Sequence, residues 1–476
     1  MRLLFQALCL CLALASSLAA PPPFYGGADG VFSDHHEDHH PGKPGVHQGA
    51  HHDGHHGPPH DDHHGPPHDD HHKHPDRCAG IEFDAITPDE KGNTFFFKGD
   101  HLWKGFTGKA QFLNESFHEL DDHHHLDHID AAFRMHDEED PEDHDHIFFF
   151  LNDKVYSYYN HTLEAGFPKD IHDEFPGIPD DLDAAVECPK GECQTNSVLF
   201  FKGSHVYHHD LKTHAVKEKN WPHLGNCTAA FRWLERYYCF HGHSFTKFNP
   251  VTGEVKGDYP KDARNYFMRC PGFGHGKNDS KRDHIERCSK LPFDEFTSDD
   301  EGRSYAFRGA YFLRLDTARD GWHAWPIDSA WKEVHSDVDA VFSWDHKLYI
   351  IKDGKVYIYK TGQHYTLVEG YPKTLKEELG VEGEVDAAFV CAKEHVVHII
   401  QGSKMLDVDL TATPRTVVKE WTLPYKHIDG AMCGADKVRV FVGPEYFEYE
   451  SPRLLALGRI KPPPHKISVD LLKCED

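Results

Sequence analysis

The feature that most constrains the fold is a tetrad that recurs along the chain. Asp130-Ala131-Ala132-Phe133, Asp183-Ala184-Ala185-Val186, Thr228-Ala229-Ala230-Phe231, Asp339-Ala340-Val341-Phe342, Asp386-Ala387-Ala388-Phe389 and Asp429-Gly430-Ala431-Met432 share one pattern. Two variants open two sets: Phe83-Asp84-Ala85-Ile86-Thr87 through Phe97-Lys98-Gly99 aligns without a gap to Phe293-Asp294-Glu295-Phe296-Thr297 through Phe307-Arg308-Gly309. Eight units in two sets of four mean one supersecondary unit used repeatedly. After most tetrads comes an aromatic or β-branched run, a Gly turn and a second run, as in Lys347-Leu348-Tyr349-Ile350-Ile351-Lys352-Asp353-Gly354-Lys355-Val356-Tyr357; these are β-hairpin signals. The aspartates of the second set lie 45, 47 and 43 residues apart, which suits one four-stranded blade per unit. Small Ala side chains at the start of each innermost strand let four strands converge on an axis. The expected fold is all-β, two four-bladed β-propellers.

Breaks in the period mark the boundaries. The interval from Asp130 to Asp183 is 53 residues, lengthened by Asp137-Glu138-Glu139-Asp140-Pro141-Glu142-Asp143-His144-Asp145-His146, which reads as a solvated loop. From Thr228 to Asp294 is 66 residues, and the surplus coincides with Cys270–Cys288, a linker. The expected division is a first propeller over 78–270, a linker over 271–287 and a second propeller over 288–476. Removing Cys9 and Cys11 with a leader leaves ten cysteines, suited to five disulfides in an oxidising compartment. Cys78 with Cys270 and Cys288 with Cys474 would tie first blade to last in each set; Cys188 with Cys193, Cys227 with Cys239 and Cys391 with Cys433 follow by proximity along blades.

Residues 1–20 read as a secretory signal peptide, because the apolar run from Leu3 to Leu18 is too short to span a bilayer. Residues 21–77 are mostly Pro, Gly, Asp and His, with Gly-Pro-Pro-His-Asp-Asp-His-His at 57–64 repeated at 65–72. Such a segment cannot build a core and is expected to be a disordered tail. Its sixteen histidines suit weak zinc or copper binding without fixed geometry. Asn-X-Ser/Thr acceptors at Asn114, Asn160, Asn226 and Asn278 fit a secreted, extracellular glycoprotein. The formal charge of −27 argues against nucleic acid or an anionic membrane as partner. With 44 histidines that charge is strongly pH-dependent.

No reactive centre is legible: there is no His-Glu-X-X-His helix, Gly-X-Ser-X-Gly elbow, phosphate-binding Gly loop or surplus cysteine. The expectation is therefore a binding protein and not an enzyme. His275 stands between Gly274 and Gly276 in the linker, with no packing task and a backbone free to aim its imidazole. His323 lies in Asp320-Gly321-Trp322-His323-Ala324-Trp325, flanked by indoles. Trp233, Tyr266 and Phe267 fall near the same gap between repeat sets, among arginines. Two axial imidazoles, aromatic faces and cations suit a flat, apolar, anionic metal cofactor, with haem (iron protoporphyrin IX) the candidate. The competing reading makes these aromatics propeller core, in a matrix- or divalent-metal-binding propeller protein without haem.

Several stretches carry a resemblance to a known family. Asp173-Glu174-Phe175-Pro176-Gly177-Ile178-Pro179, Arg236-Tyr237-Tyr238-Cys239-Phe240, Pro271-Gly272-Phe273-Gly274-His275-Gly276 and the Gly-Trp-His stretch, together with the eight tetrads, resemble the hemopexin family of secreted plasma haem-binding proteins, including the fish warm-temperature-acclimation forms. The resemblance covers Cys78 to the C-terminus. It implies haem held between the propellers, scavenged and transported in extracellular fluid, with iron ligated by His275 and His323. It further implies Trp233, Tyr266 and Phe267 lining the pocket, Arg236 and Lys247 meeting the propionates, and channel ions (calcium, sodium, chloride). A cell-surface clearance receptor and a monomeric state belong to the same expectation. Lys247 stands where mammalian members have Arg, which exchanges a bidentate contact for a point charge. The long His-rich tail is a second departure.

Overall fold

The tetrad aspartate reaches across the hairpin that follows it and accepts the backbone N–H at its turn. Asp84 takes this bond from Gly99 at 2.8 Å, Asp130 from Asn152 at 2.6 Å, Asp183 from Gly203 at 2.5 Å and Asp294 from Gly309 at 2.5 Å. Asp339 takes it from Asp353 at 2.7 Å, Asp386 from Gly402, and Asp429 from Gly443 at 2.5 Å. In the fourth unit the Thr228 hydroxyl donates instead to the Phe240 carbonyl at 3.4 Å. The turn residues have positive φ, 57° at Gly99, 53° at Asn152 and 51° at Asp353, a conformation open to Gly, Asn and Asp. The repeat signature is thus a carboxylate and the turn it fastens.

The computed structural model describes residues 74–117, 128–273, 282–317, 320–362, 364–434, 437–458 and 460–475. The expected signal peptide, nearly all of the expected tail, His275 and Asn278 lie outside the described residues. Blade one is a meander of Ala85–Pro88, Thr94–Lys98, His101–Lys104 and Ala110–Phe112, hydrogen-bonded in chain order. The other seven sheets repeat it, blades two and six adding the short strands Lys169–Asp170 and Lys373–Thr374. Ala85–Pro88, Ala131–Arg134, Ala184–Cys188 and Ala229–Trp233 pack side by side and close into one ring. Glu295–Ser298, Ala340–Trp344, Ala387–Phe389 and Gly430–Cys433 close a second. The chain is two four-bladed propellers, and Pro75 to Asp476 forms one compact unit. No described helix is long and apolar enough to cross a membrane.

Each blade pairs apolar faces with its neighbours. Phe83 and Phe96 of blade one meet Phe240 and Phe231 of blade four with ring centroids 6.3 and 6.2 Å apart, and Phe296 stacks on Phe441 at 3.7 Å between blades five and eight. Both closures carry the expected disulfides, Cys78–Cys270 and Cys288–Cys474. Cys188–Cys193, Cys227–Cys239 and Cys391–Cys433 complete the five. A cross-link closing 192 residues removes about 5 kcal/mol of unfolded-state entropy in the chain-entropy account.

Two local features depart from the sequence reading. The insertion in blade two is solvated only in its first half: Asp145 and His146 are buried, His146 lying 3.3 Å from Glu164. Backbone bonds with Met135 fold that half inward, His146 O accepting at 2.7 Å and Asp145 N donating at 2.9 Å. At the axis of the second propeller the small-residue rule fails once. Glu295 stands where the other blades have Ala or Gly, fully buried, and one carboxylate oxygen accepts the N–H of Phe296 at 2.7 Å and of Ala431 at 2.8 Å. Gly430 makes the room, since a Cβ there would lie 2.8 Å from that oxygen.

Candidate binding site at the propeller junction

Blade four of the first propeller presents an aromatic wall. Trp233 ends the innermost strand, 5% exposed, and rests on Phe106 at 5.1 Å and Phe267 at 5.7 Å. Phe267 is 2% exposed and belongs to the blade's own core, whereas Tyr266 beside it is 43% exposed at the surface. Arg236 pairs with Trp233 across the hairpin, and Lys247 lies opposite Tyr238 on the next strand; both are partly buried.

The second propeller supplies His323, which is brought against that wall. Its ring meets Trp233 edge-to-face at 5.1 Å and Trp325 likewise at 4.9 Å. Burial pushes the imidazole down to about 3, helped by the nearby cations Arg269 and Arg236. At neutral pH His323 is therefore uncharged, the form that has a lone pair to donate. The structure brings together His323, Trp233, Arg236 and the neighbouring Phe267, while His275 lies outside the described residues.

The stretch before His323 is fastened to the first propeller residue by residue. Asp320 is bonded to Arg232 and lies 3.5 Å from Arg134, and its carbonyl accepts Leu234 N–H at 2.8 Å. Burial would raise the Asp320 carboxyl, but Arg232 and Arg134 outweigh it and hold it at about 2. Gly321, at φ 106°, lies so close to the Trp233 indole that a Cβ would come within 2.3 Å of it. Trp322 donates from Nε1 to the Lys91 carbonyl at 3.2 Å, and Arg287 sits over its ring at 4.6 Å. Arg287 in turn donates to Asn93 at 2.7 Å.

A cleft of about 360 Å³ opens between the propellers, lined by Phe106, Arg269, Arg287, Trp322 and His323 among others, within the range of small-molecule sites. The end of the linker, Ile285 to Arg287, borders it. Phe273 lies under Arg264 at 4.0 Å, and Glu286 accepts from Thr107 at 2.9 Å. Sequence reasoning missed Arg269, Asp320 and Arg287. Asp320 lies inside the stretch that drew attention to His323, but its partners are 88 and 186 residues away in sequence, and no periodicity connects them.

A donor that is neutral, flanked by aromatic edges and accompanied by two arginines fits a flat anionic iron complex. Comparison with known proteins bears on the same point. The hemopexin family model matches residues 129–180, which is blade two. The chain is 53% identical over 476 residues to hemopexin of Danio rerio, covering 99% of both chains. It is 39% identical over 426 residues to hemopexin of Homo sapiens, covering 84% of this chain and 89% of that one. Matrix metalloproteinase-20 of Homo sapiens is 29% identical over 140 residues, only 28% of this chain and 26% of that one. A similarity that runs through both propellers and the segment joining them makes the chain a member of the hemopexin family.

Proposed function

We propose that this protein is a secreted scavenger and carrier of free haem, without enzymatic turnover. Haem is held between the propeller of residues 78–270 and that of residues 288–476, its iron ligated by His323 and by His275 of the linker. The observation that carries this reading is the placement of His323: its imidazole is wedged between Trp233 and Trp325 at the junction, where burial, with Arg236 and Arg269 close by, favours the neutral ring. Neutral nitrogen donors suit haem iron, aromatic faces suit the macrocycle, and arginines suit its carboxylates. Trp233, Tyr266 and Phe267 are assigned to the aromatic wall, and Arg236 and Lys247 to the propionates. Clearance of the loaded monomer by a cell-surface receptor completes the proposed role.

Haemin titration tests it. The expected result is a one-to-one complex with the absorption spectrum of six-coordinate, low-spin iron, lost in His275→Ala and in His323→Ala. A variant that keeps the spectrum unchanged removes that histidine from the ligand set. An unchanged haemin spectrum with the full chain rejects the function. Removing residues 21–73 should leave the titration curve as it is; the deletion stops there because Arg77 donates to the Met268 carbonyl.

A further inference from the structure

Three consecutive residues of the second propeller, Asp320, Gly321 and Trp322, each contact the first propeller, and the next residue is His323. The strongest of the three contacts is ionic and buried. Arg232 and Arg134 are 3% and 0% exposed, on the innermost strands of blades four and two. Glu192 fixes the attitude of Arg232, taking its Nε–H at 3.1 and 3.0 Å and its Nη2. Glu192 is itself held by the Tyr237 hydroxyl at 2.6 Å, and it lies inside the short loop closed by Cys188–Cys193. With Nε and Nη2 engaged, the guanidinium fork has Nη1 left, and that nitrogen meets Asp320. A planar fork shared in this way aims its last donor in one direction.

We infer that Asp320 is a positioning residue for haem ligation: it latches the loop that carries His323 onto the first propeller, so that the ligand stands in place before haem arrives. This rests on the haem reading above. The physical argument is preorganisation. A ligand loop that had to be ordered at the moment of binding would spend part of the binding free energy on that ordering, whereas a latched loop does not. The latch also explains the residues beside it. Gly321 has no side chain because the indole of Trp233 occupies the space a Cβ would need, and the Leu234 N–H meets the Asp320 carbonyl because the turn after Trp233 runs through two left-handed residues, Leu234 at φ 52° and Glu235 at φ 62°. Removing the carboxylate takes an anion from two buried guanidinium groups, of which Arg232 keeps Glu192, and so weakens the anchor together with the blades that carry those arginines.

The experiment uses the full chain. Asp320→Asn keeps the shape and removes the charge; Asp320→Glu restores the charge with one more methylene. Haemin titrations, thermal melting and absorption spectra are compared with the unsubstituted protein. The expected result is that Asp320→Asn weakens haemin at least about tenfold and loses much of the six-coordinate low-spin spectrum, and that Asp320→Glu recovers both in part. Equal affinity and an unchanged spectrum in Asp320→Asn overturn the latch. Hydrogen exchange of the haem-free, unsubstituted protein gives a second reading that does not depend on how the variants fold. The Leu234 amide, which donates to the Asp320 carbonyl, should be protected before haemin is added; fast exchange there that slows only on adding haemin also overturns it. If the unsubstituted protein leaves the haemin spectrum unchanged, the haem reading fails, and the protection measurement then decides whether Asp320 latches the propellers regardless.

Discussion

Gly321→Ala is the sharpest test of how the His323 loop is held. The substitution adds one carbon at φ 106°, where L residues carry strain of about 1–3 kcal/mol. That carbon would lie 2.3 Å from Cδ1 and 2.5 Å from Nε1 of Trp233. The indole has nowhere to go, because Phe106, Phe267 and Tyr238 pack around it at 5.1, 5.7 and 6.5 Å. Overpacking of this kind adds about 1–3 kcal/mol, so holding the loop in place would cost about 2–6 kcal/mol in all. Trp322 is anchored in the core of the second propeller, so the strain should fall on the turn at Gly321, which shifts and carries His323 off the Trp233 wall. Haemin affinity is then expected to fall about thirtyfold or more, the equivalent of about 2 kcal/mol. Gly354→Ala is the matched control: it also has positive φ, 69°, but a Cβ there meets nothing within 4 Å. Haemin titration by absorbance, with melting curves for all three proteins, is the assay. Gly321→Ala binding within threefold of the unsubstituted protein would refute the reasoning.

Glu295→Ala should destabilise the second propeller by about 2–4 kcal/mol, because the Phe296 and Ala431 N–H groups lose their buried acceptor. Formate, a carboxylate small enough for the vacated space, should restore part of the melting temperature in the variant and none in the parent; equal responses count against the assignment. Stability of the haem-free protein should fall on acidification. Burial pushes His323 and His136 down to about 3 and His209 to about 4, so below about pH 6.5 the unfolded chain takes up protons that the folded one refuses. Each histidine loses about 2 kcal/mol between pH 7 and 5. Glu187 works the other way: burial raises it to about 7, so the folded state holds a proton the unfolded chain lacks, which adds about 2 kcal/mol over that interval. Glu295, raised by burial, works in the same direction as Glu187; among the groups with large shifts the three histidines set the sign, and denaturant midpoints that do not fall between pH 7 and 5 would contradict it. With His323 neutral down to about 3, acid release of haem at pH 5 should begin at a group other than His323, which haemin dissociation of His275→Ala against the parent will show.

The propellers were legible in sequence because one residue type does one task repeatedly. Asp84, Asp130, Asp183, Asp294, Asp339, Asp386 and Asp429 each fasten a turn within their own blade, and a local task repeated at a fixed spacing leaves a visible period. His323 was legible for another reason, since indoles on both sides of a histidine are rare by chance. Asp320 and Glu295 were not. Each looks like one more acidic residue in an acidic chain, and its meaning resides in partners that other blades supply: Arg232 and Arg134 for one, Ala431 for the other. Burial of His146 escaped for the same reason, because Glu164 reaches it only after the blade has formed.

The fastening of each turn by its own aspartate also bears on how the chain is made. These bonds join residues as few as 14 and at most 22 apart, so a blade holds all of its clamp soon after its second strand has been synthesised. Local contacts of that kind form fast, and domains fold in the order in which they leave the ribosome. Ring closure is different in kind. Cys78 waits 192 residues for Cys270, and Cys288 waits 186 for Cys474, so the inner edge of the first blade stays uncovered until the fourth has emerged. The interval between local completion and ring closure is the vulnerable period in the synthesis of each propeller, and its length is set by the number of blades and not by the strength of any one of them.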